Sequence, residues 1–379
     1  MLVPFLAAIQ VIHTGFEGAR LERIEPVSAT HFRCHLRGDV DQDKRNRQAN
    51  WYYFRIDGAK GQEVIIDLTN LPGEYNYQLN RGAVTKDTVP VWSEDNVHWK
   101  HFETTEFDAA EPRLRLRLKP ARNQVWIAHV PPYTNAHLKR LLDEFRHFPL
   151  FQIENEPKMP LLTIGSGKGK VIWLMFRQHA WETGSSWAGE GAIRFLLSKE
   201  AESIRREATF KIFPMADPEG VRVGNVRFNK AGYDLNRNWD VDDAVKMPEI
   251  AAQKQAIFKW LDAGNRIDLF LTVHNTETGE YLEGPPAGAD ELGPRFFAEL
   301  QQHSTFAPTR PYFRAATTTT QGKPGRMNVA QGLYSARKLP AFVMEQMIAH
   351  NPKLGQFPTI EDRVAFGAQL VRAAVAATR

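Results

Sequence analysis

Hydrophobic and polar positions alternate over much of the first third of the chain. Residues 113–118 read Arg, Leu, Arg, Leu, Arg, Leu, which in an extended strand puts three leucines on one face and three arginines on the other. Residues 50–56 and 63–68 are aromatic or β-branched runs parted by the turn-forming stretch Asp57, Gly58, Ala59, Lys60, Gly61. With 32–36 before them and 125–130 after, these segments predict a small antiparallel β-sandwich. After Pro131 and Pro132 the period changes, because Thr134 or Asn135 can cap a helix carrying Leu138, Leu141, Leu142 and Phe145 at helical spacing. Beyond it, 171–176 and 267–273 are continuous apolar runs of the kind buried in a parallel sheet, and helical patterns occupy 188–198, 248–263, 293–303 and 360–376. Strand-then-helix alternation predicts an α/β domain whose ligands collect at the carboxyl ends of strands. The division expected is a β-sandwich domain over 1–135 and an α/β domain over 136–379. Residues 317–325 read as a loop of the length that often lies over an active site.

Composition narrows the chemistry. The 379 residues contain one cysteine, Cys34, so neither an internal disulfide nor a thiolate zinc site holds this fold, and any metal must sit on His, Asp or Glu. Lys and Arg number 48 against 44 Asp and Glu, a net charge of +4, which is a mixed surface and no basic stripe for nucleic acid. No apolar run reaches the roughly 18 residues of a membrane span. Residues 2–12 are apolar but lack a basic lead and a small-x-small cleavage site. They read as a first strand in a cytoplasmic protein, with export the alternative if 1–12 belong to a signal peptide. Gly165, Ser166, Gly167, Lys168, Gly169, Lys170 mimics a phosphate loop but precedes a strand and lacks the terminal Ser or Thr; it reads as a turn.

Directly after the 171–176 strand come His179 and, three residues on, Glu182. Placed where a strand gives way to a turn, an imidazole nitrogen and a carboxylate oxygen can face one metal ion. His274 ends the second buried strand, at the same edge of a parallel sheet. Three such ligands with room for water as a fourth make an open zinc site.

Between them lie Arg227 and Asp234, Leu235, Asn236, Arg237. With Asp217, Pro218, Glu219, Gly220, Val221 before and Phe342, Val343, Met344, Glu345 after, the order resembles the zinc carboxypeptidases of the carboxypeptidase A clan. Within that clan it is similar to the cytosolic carboxypeptidase subfamily. Phe16, Glu17, Gly18, the 51–55 run and 128–134 resemble the β-sandwich that precedes the catalytic domain there. The resemblance implies an α/β domain with a mixed, mostly parallel central sheet flanked by helices. It implies one Zn²⁺ per chain on His179, Glu182 and His274, and Glu345 as the general base that takes a proton from water and passes it to the leaving amine. Arg227 would stabilise the oxyanion, and Asn236 with Arg237 would grip the terminal carboxylate of a peptide or protein tail.

The chain departs from the subfamily at Ala180 and Trp181, where Pro-Gly is usual, and at Asn275, Thr276, Glu277, where Gly-His-Ser commonly follows the histidine. Lys323, Pro324, Gly325, Arg326 resembles the subfamily's Gly-Thr-x-Arg, which makes Arg326 a candidate for binding an acidic side chain and implies a preference for Glu. Two other functions fit the same residues: a zinc amidase or deacylase acting on acylated amino acids, and a non-catalytic binding protein with a vestigial site. Side-chain preference and oligomeric state stay open at this level.

Overall fold

The computed structural model describes residues 8–44, 47–75, 78–80, 84–155, 159–167, 169–317 and 326–379. The chain parts into two compact units, Met1–Pro132 with Gly220–Arg227, and Tyr133–Glu219 with Phe228–Arg379. Most of the 317–325 loop expected from sequence lies outside the described residues, as do 1–7. No helix among the described residues is long and apolar enough to cross a membrane.

Two five-stranded sheets and a small four-stranded sheet of Asp39–Val40, Arg47–Gln48, Gly73–Tyr75 and Gln78–Asn80 build the first unit. One large sheet runs in the order Gln10–Ile12, Tyr53–Asp57, Gln124–Ala128, Val91–Ser93, Lys100–His101, and the other Glu106–Asp108, Arg113–Leu118, Val64–Thr69, His31–His35, Arg23–Pro26. Phe54, Ile56, Val125 and Ile127 from the first sheet share a core with Phe32, Ile66, Leu114 and Leu116 from the second. The strict alternation at 113–118 does what the pattern demands: the leucines are buried, while Arg115 forms a bidentate pair with Asp67 at 2.7 and 2.9 Å. One pairing departs from the antiparallel expectation. His31–His35 runs parallel to Val64–Thr69, because the intervening Tyr53–Asp57 strand belongs to the other sheet and the chain returns in its original direction. Cys34 is buried, and burial pushes its thiol well up, so it is an inert core residue.

The second unit is built on one eight-stranded sheet in the order Phe151–Glu154, Leu161–Ile164, Ala208–Phe213, Lys170–Phe176, Leu269–Thr276, Ala341–Met347, Tyr281–Gly284, Phe313–Arg314. The four strands from Ala208–Phe213 to Ala341–Met347 are parallel, and antiparallel strands flank them. Trp173, Met175, Phe270, Ala341 and Val343 face the helices Pro248–Asp262 and Val329–Arg337. On the opposite face, Phe176 meets Gly189 of the Thr183–Leu196 helix, and Phe342 meets Phe296 of the Leu292–His303 helix. The final helix, Ile360–Thr378, starts at a capping box formed by Thr359 and Asp362.

The sequence pattern starts a helix at 188, yet it begins at Thr183. Gly184, Ser185 and Ser186 are weak helix formers, and here they are buried because tertiary packing needs small side chains. A Cβ on Gly191 would collide with the carbonyl of Val364, and one on Gly367 with that of Ala188.

Candidate metal and substrate site

The turn after Lys170–Phe176 delivers the first two candidate ligands. Arg177 takes a left-handed backbone conformation, φ 61°, which is costly for a residue with a Cβ. Its buried guanidinium stabilises the turn by donating to the Ala180 carbonyl at 2.8 and 2.6 Å and to Ser186 Oγ at 3.0 Å. Glu182 stands at the N-cap of the next helix, and His274 comes from the end of the neighbouring parallel strand.

The ligand atoms of His179, Glu182 and His274 all lie within 4.8 Å of one another, and all three residues are buried. His179 Nδ1 is 2.7 Å from Glu182 Oε1, and His274 Nδ1 is 2.8 Å from Oε2. Both rings therefore turn the same nitrogen inward. Their outward nitrogens are held from behind: His179 Nε2 is 3.0 Å from Asp234 Oδ1, and His274 Nε2 is 3.0 Å from Gln178 Oε1 and 3.1 Å from Thr272 Oγ1. Burial alone would raise the Glu182 carboxyl, but the two facing imidazoles outweigh it and hold the group well below the usual carboxylate range. Two imidazole nitrogens and an ionised carboxylate, each histidine oriented by an outer partner, form a donor set that fits a zinc ion.

Asp234, Leu235, Asn236 and Arg237 sit behind and beside this centre. Asp234 orients His179 and also accepts the Asn236 backbone N–H at 2.8 Å. The Leu235 carbonyl accepts from Gln178 Nε2 at 2.9 Å. Asn236 is buried, with Oδ1 accepting the Val329 N–H at 2.9 Å and Nδ2 3.4 Å from His274 Nε2. Its side chain thus ties the metal centre to the start of the Val329–Arg337 helix. Arg237 is half-buried and donates to the Asn236 carbonyl at 2.7 Å.

Glu345 lies on the Ala341–Met347 strand in direct register with His274 on one side and Tyr281 on the other. Directly opposed residues in a sheet present their side chains to one face, so all three share it. Burial, with the Glu345 carboxylate beside it, pushes the Tyr281 hydroxyl well up.

Arg227 belongs to the Gly220–Arg227 segment of the first unit, where its backbone N–H donates to Asp39 Oδ2 at 3.0 Å. Arg326 is half-buried, two residues before the Asn328 helix cap. Asn275 points away from the metal ligands, accepting the Ser185 N–H at 2.9 Å and donating to the Gln346 carbonyl. Trp181 is buried. Tyr281 and Glu283 carry no signal in the sequence, because their strand has four residues, too few for a readable alternation.

A mixed sheet with a His/Glu/His cluster at the ends of its parallel strands fits the class of metal-dependent hydrolases that work at a strand edge. Residues 12–130 match the family model of the cytosolic carboxypeptidase N-terminal domain, and residues 146–322 match that of zinc carboxypeptidases. The chain belongs to the zinc carboxypeptidases, metallocarboxypeptidase hydrolases, and carries the additional N-terminal domain of the cytosolic members.

Relatives include an uncharacterized protein of Zymomonas mobilis, 27% identical over 84% of this chain and 82% of its own. Cytosolic carboxypeptidase 6 of Caenorhabditis elegans is 27% identical over 72% of this chain and 64% of its own length. The human protein of the same name is 28% identical over 69% of this chain and 56% of its own. The chain thus spans under two thirds of those two relatives. Among solved structures, a metallo-carboxypeptidase from Burkholderia cenocepacia superposes with a TM-score of 0.79 at 21% identity, covering 98% of this chain and 99% of that one. The metallo-carboxypeptidase of Pseudomonas aeruginosa in complex with (2-guanidinoethylmercapto)succinic acid has the same TM-score at 22% identity, covering 98% and 100%. Both share the fold.

Proposed function

We propose that this protein removes the C-terminal residue from peptides or protein tails by metal-assisted hydrolysis. The observation that carries the reading is the convergence of His179, Glu182 and His274, one ligand atom from each within 4.8 Å, with Glu345 in register beside His274. These three residues would hold Zn²⁺, which when bound acts as a Lewis acid toward a carbonyl and toward water. Glu345 is the general base: it takes a proton from the attacking water and delivers it to the departing amine. Arg237 receives the terminal carboxylate, for which a planar guanidinium is shaped. Asn236 shares that grip through its Nδ2 donor, with its Oδ1 anchored by the Val329 N–H. Arg227 is assigned the developing oxyanion from the family pattern. The relatives' names support a cytoplasmic location.

Glu345→Gln is the direct test. It should retain about one zinc per chain and lose hydrolysis of a free C-terminal peptide by about 10²- to 10⁴-fold. Full activity in that variant would remove Glu345 from the role of base. Peptides with amidated C-termini should resist cleavage by the native protein, because Arg237 then has no carboxylate to bind; equal cleavage would favour the amidase reading. (2-Guanidinoethylmercapto)succinic acid, bound by the Pseudomonas protein, is a suitable inhibitor probe. Arg326 is assigned an acidic terminal side chain from the family pattern, a preference for Glu that Arg326→Ala should abolish.

A further inference from the structure

Arg20 and Asp39 form an ion pair inside the first unit, 6% and 8% exposed. Arg20 makes an isolated antiparallel bridge with Tyr53, and Asp39 opens the Asp39–Val40 strand, opposite Gln48. A buried ion pair is a weak source of stability, because desolvating two charges offsets most of their attraction. What this pair does hold is a distant stretch of chain. Asp39 Oδ1 accepts from Arg20, while Oδ2 accepts the backbone N–H of Val226 at 2.6 Å and that of Arg227 at 3.0 Å. Arg20 Nη1 donates to Asn225 Oδ1 at 3.1 Å, and Nε donates to the Arg37 carbonyl at 3.2 Å. Three successive residues, Asn225, Val226 and Arg227, are thus gripped by two side chains that precede them by 187 to 205 residues.

The chain just before them is tied through its backbone. The Gly18 N–H donates to the Arg222 carbonyl at 3.1 Å. Gly224 takes φ +71° and packs so closely that a Cβ there would lie 2.6 Å from the Gly18 carbonyl oxygen. Val226 is fully buried and Arg227 half-buried. Arg227 ends the segment counted with the first unit, and Phe228, the next residue, bridges Asp234, the carboxylate behind His179. A long side chain acts on a developing charge only as accurately as its backbone is held, and donors fixed in advance cost no reorganisation during reaction. One carboxylate oxygen accepting two consecutive backbone N–H groups fixes the direction in which the chain passes Arg227.

We propose that Arg20 and Asp39 are positioning residues for Arg227, through which the β-sandwich unit raises the rate of hydrolysis. The inference rests on the carboxypeptidase reading and on Arg227 as the donor to the oxyanion. An interaction made only with the transition state changes kcat and leaves KM alone, so loosening this clamp should do the same.

The test uses the zinc-loaded full chain and one peptide with a free C-terminus. Asp39→Asn cannot serve both Arg20 and the two N–H groups as a carboxylate does, and should lower kcat about 10- to 100-fold with KM and zinc content unchanged. Asp39→Glu, which keeps the charge, should recover part of the loss. The decisive comparison is the double variant. In an Arg227→Ala background, Asp39→Asn should cost less than about twofold more, because the group it positions is already gone; a merely structural role would multiply the two losses. Should Asp39→Asn fail to fold, Asn225→Ala, which cuts only the tie from Arg20, should show the same kcat loss in smaller measure and the same silence behind Arg227→Ala. A folded Asp39→Asn or Asn225→Ala at native kcat, or losses that multiply, overturns the inference and leaves the hydrolase reading intact. Native activity in Arg227→Ala also overturns it, by removing the residue to be positioned. No cleavage of any free C-terminal peptide by the native protein overturns the hydrolase reading and this role with it.

Discussion

At the scale of single residues, the nitrogens that face away from the metal position decide which nitrogens face it. A neutral imidazole has one N–H, and a carboxylate behind Nε2 holds that proton there, leaving the Nδ1 lone pair inward. Asp234 does this for His179, and Gln178 with Thr272 contacts the outer nitrogen of His274. Asp234→Ala should therefore weaken zinc binding by about 10- to 100-fold, read by competition with a chromogenic chelator, with little change in the thermal stability of the first unit. His179, Glu182 and His274 are legible in the sequence because each ends a strand or follows one. Asp234 and Gln178 stand in the same stretches, but their roles depend on contacts across 55 and 96 residues of chain, which no local pattern encodes.

At the scale of elements, the helix behind Glu182 governs how firmly that ligand is held. Thr183–Leu196 packs on Ile360–Thr378 through glycines, and the Cβ of an alanine at Gly191 would run into the Val364 backbone. A backbone carbonyl cannot rotate away as a side chain would, so Gly191→Ala should cost about 1–3 kcal/mol despite the better helix propensity of alanine. The expected result is a lower thermal midpoint together with faster zinc release to a chelator; an unchanged midpoint would show that the two helices can move apart without loss. The helix itself was legible from 188 onward, because apolar residues recur at helical spacing there. Its first turn was not, since Gly184, Ser185 and Ser186 are chosen for close packing and read locally as a loop. The Tyr281–Gly284 strand was hidden for a different reason: it is short, ends before Pro285, and owes its pairing to the neighbouring Ala341–Met347 strand.

At the scale of the whole molecule, one buried group in each unit answers to acid, and the two act in opposite directions. In the first, His129 is completely buried and burial pushes it down to about 3. Between that value and an ordinary histidine pKa near 6.5 the unfolded chain binds a proton that the folded unit refuses, so stability falls as pH drops below about 6.5. In the second, Glu280 is buried and pushed up to about 7, with the Ala307 N–H and the charge of Arg363 only partly offsetting burial. Here the folded unit binds the proton and the unfolded chain does not, so between about pH 7 and an ordinary Glu value near 4.3 stability rises as pH falls. Hydrogen exchange on the zinc-free chain at pH 7.5 and 5.5 should show protection decreasing around His129 and increasing around Glu280. His129→Phe should flatten the first trend and Glu280→Gln the second.

The sequence by itself determined the two kinds of architecture and the order of the metal-site candidates, because strand alternation, helical spacing and the residues that end strands are local properties of the chain. Only the tertiary structure decided what surrounds them. It anchored the Asn236 amide oxygen on the Val329 N–H, counted Gly220–Arg227 with the first unit, and brought Tyr281 and Glu283 onto the face of Glu345. Those outcomes depend on which strands become neighbours in the sheet, and neighbours far apart in the chain leave no periodic trace in it.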